Sequence, residues 1–311
     1  MTTSLSKNIK ALIIAASVLA CTGCVRDNLD HRRKSCELKI RITDNGGNDI
    51  TGSATIDNVF LYLFCGKGNF VERIPVSAED IRAGRPVRVE YDGLDRITAI
   101  VWGNINGPNI EMDGIGAGTN LSQQLYLRLK DHSLSGNRSE GDTENRSPRE
   151  LHYGRKTIDA RKGVGSFDEE ITVKSTVAKV NVVTKHLRRW TGCDDWTRFS
   201  FVVYGTRDRL SFAESKAEGN PAVYRPSLEL DPDISTAKAT LTTFPCYHEP
   251  LVELRIYHDG QMVYGVNRYD DGTPFKVYAG EELDIYVTFD AGGTIHVTVE
   301  PWDDGGQHTE F

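Results

Sequence analysis

No apolar run in these 311 residues approaches the roughly 20 that a membrane-spanning helix needs. The longest, Ala11 to Ala20, is half that length, which excludes a bundle of spanning helices. A basic excess is also missing: 37 Lys and Arg stand against 44 Asp and Glu, a formal net charge of −7. Such a field repels a phosphate backbone, so nucleic acid is not an expected partner. There is no Gly-x-Ser-x-Gly elbow, and Gly163-Val164-Gly165-Ser166 has the wrong spacing for one. Gly114-Ile115-Gly116-Ala117-Gly118 neither follows a parallel strand nor opens an apolar helix, so a dinucleotide site does not fit. Beyond residue 24 no His-x-x-x-His or Cys-x-x-Cys occurs, which removes the usual zinc spacings. The pairs Asp194-Asp195, Asp270-Asp271 and Asp303-Asp304 adjoin turn signals, where aspartate caps its own backbone. Without an Asp-x-Asp-x-Asp-Gly loop, calcium has no support either. The expectation is a protein with no catalytic residue, no metal and no cofactor.

What is present begins at the amino terminus. Lys7 and Lys10 precede the ten-residue apolar run, and Cys21-Thr22-Gly23-Cys24 follows. A basic n-region, a short h-region and a small residue before cysteine make a secretory signal and not a stable span. Gly23-Cys24 resembles the bacterial lipobox, in which the thiol is acylated and the signal is cut just before it. Residues 1–23 are then a lipoprotein signal peptide and Cys24 the first mature residue. Cys21 fits the pattern less well, because Leu19 is bulky where a small or β-branched residue is preferred. Removing residues 1–23 takes away two lysines and no acid, leaving 35 basic against 44 acidic side chains and a net charge of −9. One acyl chain holds a membrane marginally and two or more hold it firmly. The charged, aperiodic residues that follow make 24–36 a lipidated tether.

From Glu37 the dominant signal is period two. Leu38, Ile40 and Ile42 alternate with charged residues, and Asp44 to Asp49 forces a turn. Val59 to Phe64 and Ile97 to Trp102 are apolar at nearly every position, so both faces of each should be covered and each should be a central strand. Ser77 with Asp80 three residues on, and Gly84 beyond, predicts one short helix. Leu125, Leu127 and Leu129 complete an N-terminal strand set. Residues 133–148, almost without apolar side chains, read as a mobile loop. Ile171-Thr172-Val173 opens a second series, continued by strands near 177–183, 199–204, 251–257, 261–264, 283–289 and 294–299. Asp259-Gly260 and Ala291-Gly292-Gly293 are hairpin turns within it. Short strands with regular turn signals predict an all-β chain of two tandem antiparallel β-sandwich domains, residues 37–165 and 166–311. Cys36, Cys65, Cys193 and Cys246 remain in the mature chain, either as two disulfides or as free thiols, Cys65 as a small buried hydrophobe.

These features together resemble the FimB-like fimbrillin-associated anchor and minor-subunit lipoproteins of Bacteroidales bacteria. The resemblance is carried by Cys24-Val25-Arg26-Asp27-Asn28-Leu29 with Cys36, by Val59 to Phe64, by Ala99-Ile100-Val101-Trp102-Gly103-Asn104, and by Leu151-His152-Tyr153-Gly154 before Val177-Ala178-Lys179-Val180. The family's Leu-Phe-Tyr-Gly element has phenylalanine where this chain has His152. The resemblance implies transthyretin-like sandwiches, a lipid anchor in the outer membrane with the chain at the cell surface, and fimbrial stalk or accessory subunits as partners. Subunits joined by strand addition would use the first strand, Leu38 to Ile42, or the C-terminal segment, Thr294 to Phe311. The alternative is a surface glycan-binding lipoprotein in which Trp190, Trp196 or Trp302 supplies a stacking platform.

Overall fold

The structure, a computed structural model, describes residues 34–91, 94–132, 144–159, 161, 166–231, 235–246, 248 and 251–299. Cys21, Cys24, Trp302, Asp303, Asp304, His308 and residues 133–143 lie outside them. The regular secondary structure of the described chain is almost entirely strand. In order these are β1 Lys34–Ile42, β2 Asn58–Cys65, β3 Phe70–Ser77, β4 Val87–Tyr91, β5 Arg96–Gly103, β6 Ile110–Met112, β7 Tyr126–Leu129, β8 Asp131–His132, β9 Glu144–Asn145 and β10 His152–Asp159. There follow β11 Ser166–Ser175, β12 Ala178–Lys185, β13 Phe199–Ser211, β14 Ala217–Tyr224, β15 Glu229–Leu230, β16 Thr236–Thr243, β17 Glu253–His258, β18 Gln261–Val266, β19 Glu282–Phe289 and β20 Ile295–Thr298. The predicted helix is α1, Ala78–Arg82. The Ser77 hydroxyl accepts from the Asp80 N–H at 3.0 Å, and Gly84 takes the left-handed conformation that stops the turn.

Seven strands form the first sheet in the order β3-β2-β5-β10-β11-β1-β4. Leu61, Ala99 and Val101 from one half enclose a core with Leu38, Ile40 and Ile171 from the other, so the sheet folds over on itself. It bends where β10 meets β11, through only two residue pairs, His152 with Ser175 and Tyr153 with Lys174. Gly154 makes that bend possible, since a Cβ there would lie 2.5 Å from the Thr172 carbonyl oxygen. Gly154→Ala is expected to lower the unfolding free energy by about 1–3 kcal/mol, as overpacking does; urea unfolding of the purified chain measures it.

The second half pairs β15-β16-β12-β19-β20 in one sheet. Its Val180, Val182, Ile285 and Val287 pack with Phe201, Val203, Leu254 and Ile256 of β13 and β17. Strand β13 is the spine, pairing with β17 over Phe199–Tyr204, with β14 over Val203–Leu210 and with β7 over Arg209–Ser211. It runs toward the first sheet and delivers Phe212 into an aromatic nest. There Tyr62, Phe64 and Trp102 lie 5.1, 6.1 and 6.3 Å from its ring, and the Trp102 indole N–H donates to the Phe212 carbonyl at 3.0 Å. This is why β2 and β5 are apolar on both faces: one face serves the first core and the other the junction with the second.

The sheets correct several expectations. Among the described residues two strand pairs are parallel, β1 with β11 and β12 with β19, because the connecting chain crosses over instead of turning back. Strand β11, read as opening the second series, lies in the first sheet. Strand β7, read as completing the first set, pairs with β13. Sheet membership therefore does not follow a division between residues 165 and 166. The expected tether also ends earlier, since Lys34, Ser35 and Cys36 already pair with Tyr91, Glu90 and Val89 of β4. Within the expected loop, Glu144 is buried against Arg225, and the Ser147 hydroxyl bonds both the N–H and the carbonyl of Thr242 at 2.9 and 2.7 Å.

Candidate functional site

Two of the sequence elements that carry the family resemblance lie side by side. His152 pairs with Gly103, Tyr153 with Trp102 and Gly154 with Val101, the antiparallel seam of β10 and β5. Asn104, in left-handed conformation, accepts from the Asp57 N–H at 2.8 Å and donates to the carbonyls of Thr55 and Glu150, both at 2.9 Å. The Tyr153 hydroxyl donates to the Ala213 carbonyl, next to Phe212, and burial raises its pKa. These residues lock the junction; their arrangement offers binding of one half to the other and no nucleophile or acid–base pair.

No disulfide joins Cys36, Cys65, Cys193 and Cys246 to one another, which decides between the two readings the sequence left open. Burial, then Glu169 and Glu37, push Cys36 up to about 11, so it is a protonated core side chain. Among the described residues no three His, Cys, Asp or Glu side chains are placed to hold a metal ion. In the two acidic pairs within the described residues, the second aspartate caps a turn. Asp195 accepts from the Thr197 N–H at 2.9 Å and Asp271 from the Thr273 N–H at 2.7 Å, and these hydrogen bonds lower both carboxyl pKa values. Asp194 pairs with Arg188 at 2.8 Å. Trp196 is buried against Phe199, and Trp190 is half-buried with its ring 4.8 Å from Phe289; both pack against the core.

The clefts are small. One of about 260 Å³ at the junction is lined by Glu150, Lys179 and Glu282, with Lys179 and Glu282 paired at 3.3 Å. Another of about 300 Å³, at the far end of the second half, is lined by His186, Arg189, Asp290 and His296.

Sheet edges are the remaining candidates, and the expected ones are engaged. Strand β1 is interior, with β11 on one side from Ser35 to Ile42 and β4 on the other from Lys34 to Leu38. The Thr51 hydroxyl and the Ile50 N–H then take the Ile42 N–H and carbonyl, at 2.9 Å each. No incoming strand can add to β1 along these residues without displacing its own chain. At the carboxyl end β20 is an edge, but Val297 is clamped: its N–H donates to the Asp270 carboxylate at 3.0 Å and its carbonyl accepts from the Asp270 N–H at 2.9 Å. Neither clamp was visible in the sequence: the first depends on how the turn after β1 folds back on Ile42, and the second joins residues 27 positions apart.

A family model described as fimbrillin-A associated anchor proteins Mfa1 and Mfa2 matches residues 27–304. The major fimbrium anchoring subunit FimB of Porphyromonas gingivalis strain ATCC 33277 is 23% identical over 295 residues, covering 93% of this chain and 93% of FimB. FimB of strain W83 is 24% identical over 295 residues with the same coverage. The solved structure of the fimbrial anchor protein Mfa2 from Porphyromonas gingivalis shares the fold, with a TM-score of 0.62 at 15% identity, over 86% of this chain and 96% of that one.

Proposed function

The chain belongs to the family of fimbrillin-A associated anchor proteins Mfa1 and Mfa2, and on that premise we propose that it is a non-enzymatic subunit fixing a fimbrium to the bacterial outer membrane through acyl chains on Cys24. The observation that carries this reading is the family match across residues 27–304, directly behind the signal and lipobox pattern of residues 1–24. A filament under drag needs a base that does not diffuse away, and two or more acyl chains supply it. Ten residues from Cys24 to Lys34 reach at most about 35 Å when fully extended, which keeps the first sheet close to the bilayer. The two halves are read as transthyretin-like sandwiches, and fimbrial stalk or accessory subunits join by strand addition.

Replacing Cys24 with alanine is expected to move the protein, and the fimbriae it holds, from the cell-bound fraction into the medium. Mass spectrometry of the wild-type amino terminus should find Cys24 as the first residue with fatty acid attached. Wild-type levels of attached fimbriae on Cys24→Ala cells would refute the anchoring role.

A further inference from the structure

Folded β proteins guard their sheet edges with proline, charge, bulges or a covering contact, and most edges here do so. Strand β3 carries Pro75, β14 carries Pro221, and β4 places Arg88 and Glu90 side by side at 3.2 Å. Strand β20 is clamped at Val297 by Asp270, and β16 is held at Thr242 by Ser147. Strand β18 differs. Gln261-Met262-Val263-Tyr264-Gly265-Val266 has neither charge nor proline, it ends its sheet, and no described residue pairs with its outer side. Its one protective feature is a bulge at Val263, where Met262 faces Tyr257 and Tyr264 faces Ile256.

The register shows which groups are open. The Asp259 N–H donates toward β13, to the Arg198 carbonyl at 2.9 Å, so by alternation Tyr257 and Arg255 bond that way while His258, Ile256 and Leu254 bond to β18. Their partners Gln261, Tyr264 and Val266 point inward. The main-chain groups of Gly265 and of the bulge at Met262 and Val263 are turned outward, and the Met262 side chain is 55% exposed. This edge starts beside Phe199, at the end of β13 opposite the Phe212 that is lodged in the first sheet. On the proposed anchoring through Cys24 the tether enters at Lys34 in the first sheet, and this edge belongs to the other half of the chain.

We propose that β18 is the docking edge for an extended, uncharged segment of the adjoining fimbrial subunit, which pairs with the main chain at Met262–Gly265 and covers Met262 with an apolar side chain. This rests on the anchoring role proposed above and names its contact surface. The test uses the full chain in its own cells, comparing Cys24→Ala with the double variant Met262→Lys, Gly265→Lys. Lysines are compatible with an exposed edge, and the second would stand beside Glu253, whose carboxylate lies 3.2 Å from a Cβ built at Gly265. The expected result is that the double variant stays cell-bound at wild-type level while attached fimbriae fall by about tenfold, the effect of weakening one contact by a decade in affinity. A photo-crosslinker at Met262 should join the chain to a fimbrial subunit, and one at Arg88 should not. Wild-type attachment in the double variant, or a Met262 crosslink only to a second copy of this chain or to glycan, overturns the inference. Should the double variant be absent from the surface, Met262→Lys alone is scored in the same way. If Cys24→Ala leaves chain and fimbriae in place, the anchoring role fails, whatever the edge variants do.

Discussion

Phe212→Ala is expected to cost about 3–5 kcal/mol of unfolding free energy, the usual range for removing a buried phenylalanine ring. The ring is fully buried and touches Tyr62 edge-on, with Phe64 and Trp102 beside it. Aromatic pairs add about 0.5–1.5 kcal/mol each beyond the area they bury, which points to the upper part of that range. The nest cannot collapse easily, because its floor is the central strand pair β2 and β5 and its roof is held by main-chain bonds. The Phe212 N–H donates to Leu125 at 2.7 Å, and the Phe212 and Ala213 carbonyls accept from Trp102 and Tyr153. Because Phe212 is the plug between the two halves, the variant should also unfold in two separated calorimetric transitions where the parent shows one. Urea unfolding of the soluble Cys24→Ala chain, followed by indole fluorescence, gives the first number. A change below about 1 kcal/mol, with a single transition retained, would mean the junction is held elsewhere.

His152→Phe is expected to stabilise the protein, and more so in acid. His152 is 1% exposed, neither ring nitrogen has a hydrogen-bond partner, and the nearest carboxylate, Glu150, stands 3.6 Å from Nε2, beyond bonding distance. Burial lowers its pKa to about 4. The folded chain therefore refuses a proton that the unfolded chain accepts near its ordinary value of about 6.5. Stability is fully present above that value and falls as pH drops toward 4, by about 1.4 kcal/mol at pH 5.5. Glu150, whose carboxyl burial raises, works in the opposite sense closer to its own range, so pH 5.5 is the better place to look. Phenylalanine removes the acid-dependent loss and also the two unsatisfied nitrogens, worth about 1–3 kcal/mol each when buried. Chemical denaturation at pH 7.5 and 5.5 should show the advantage of the His152→Phe variant over the parent chain widen in acid. An equal advantage at both pH values would show that the ring is hydrated in the folded state.

Much of the fold was legible in the residues because the signals were local. Val59 to Phe64 and Ile97 to Trp102 announced two-sided burial, and both are interior strands. Ser77 announced a cap. Asp259-Gly260, both with positive φ, announced the tight turn that joins β17 and β18. Two of the missed strands have weak patterns: β3 is mostly exposed and contains Pro75, and β14 is broken by Pro221 and by register shifts against β13. The candidate docking edge was visible only as strand 261–264, since nothing in its sequence says which side is left unpaired.

The sequence by itself determined the class of strand-built chain and the family, because period two, turn chemistry and the residues of the family resemblance are written in neighbouring positions. Tertiary structure alone decided that β1 lies interior beside β11, that β7 serves β13, that four thiols stay apart, and that β18 is open while β20 is clamped. Each of these depends on which distant strands share hydrogen bonds, and a backbone N–H or carbonyl carries no mark in the sequence of the partner it will find.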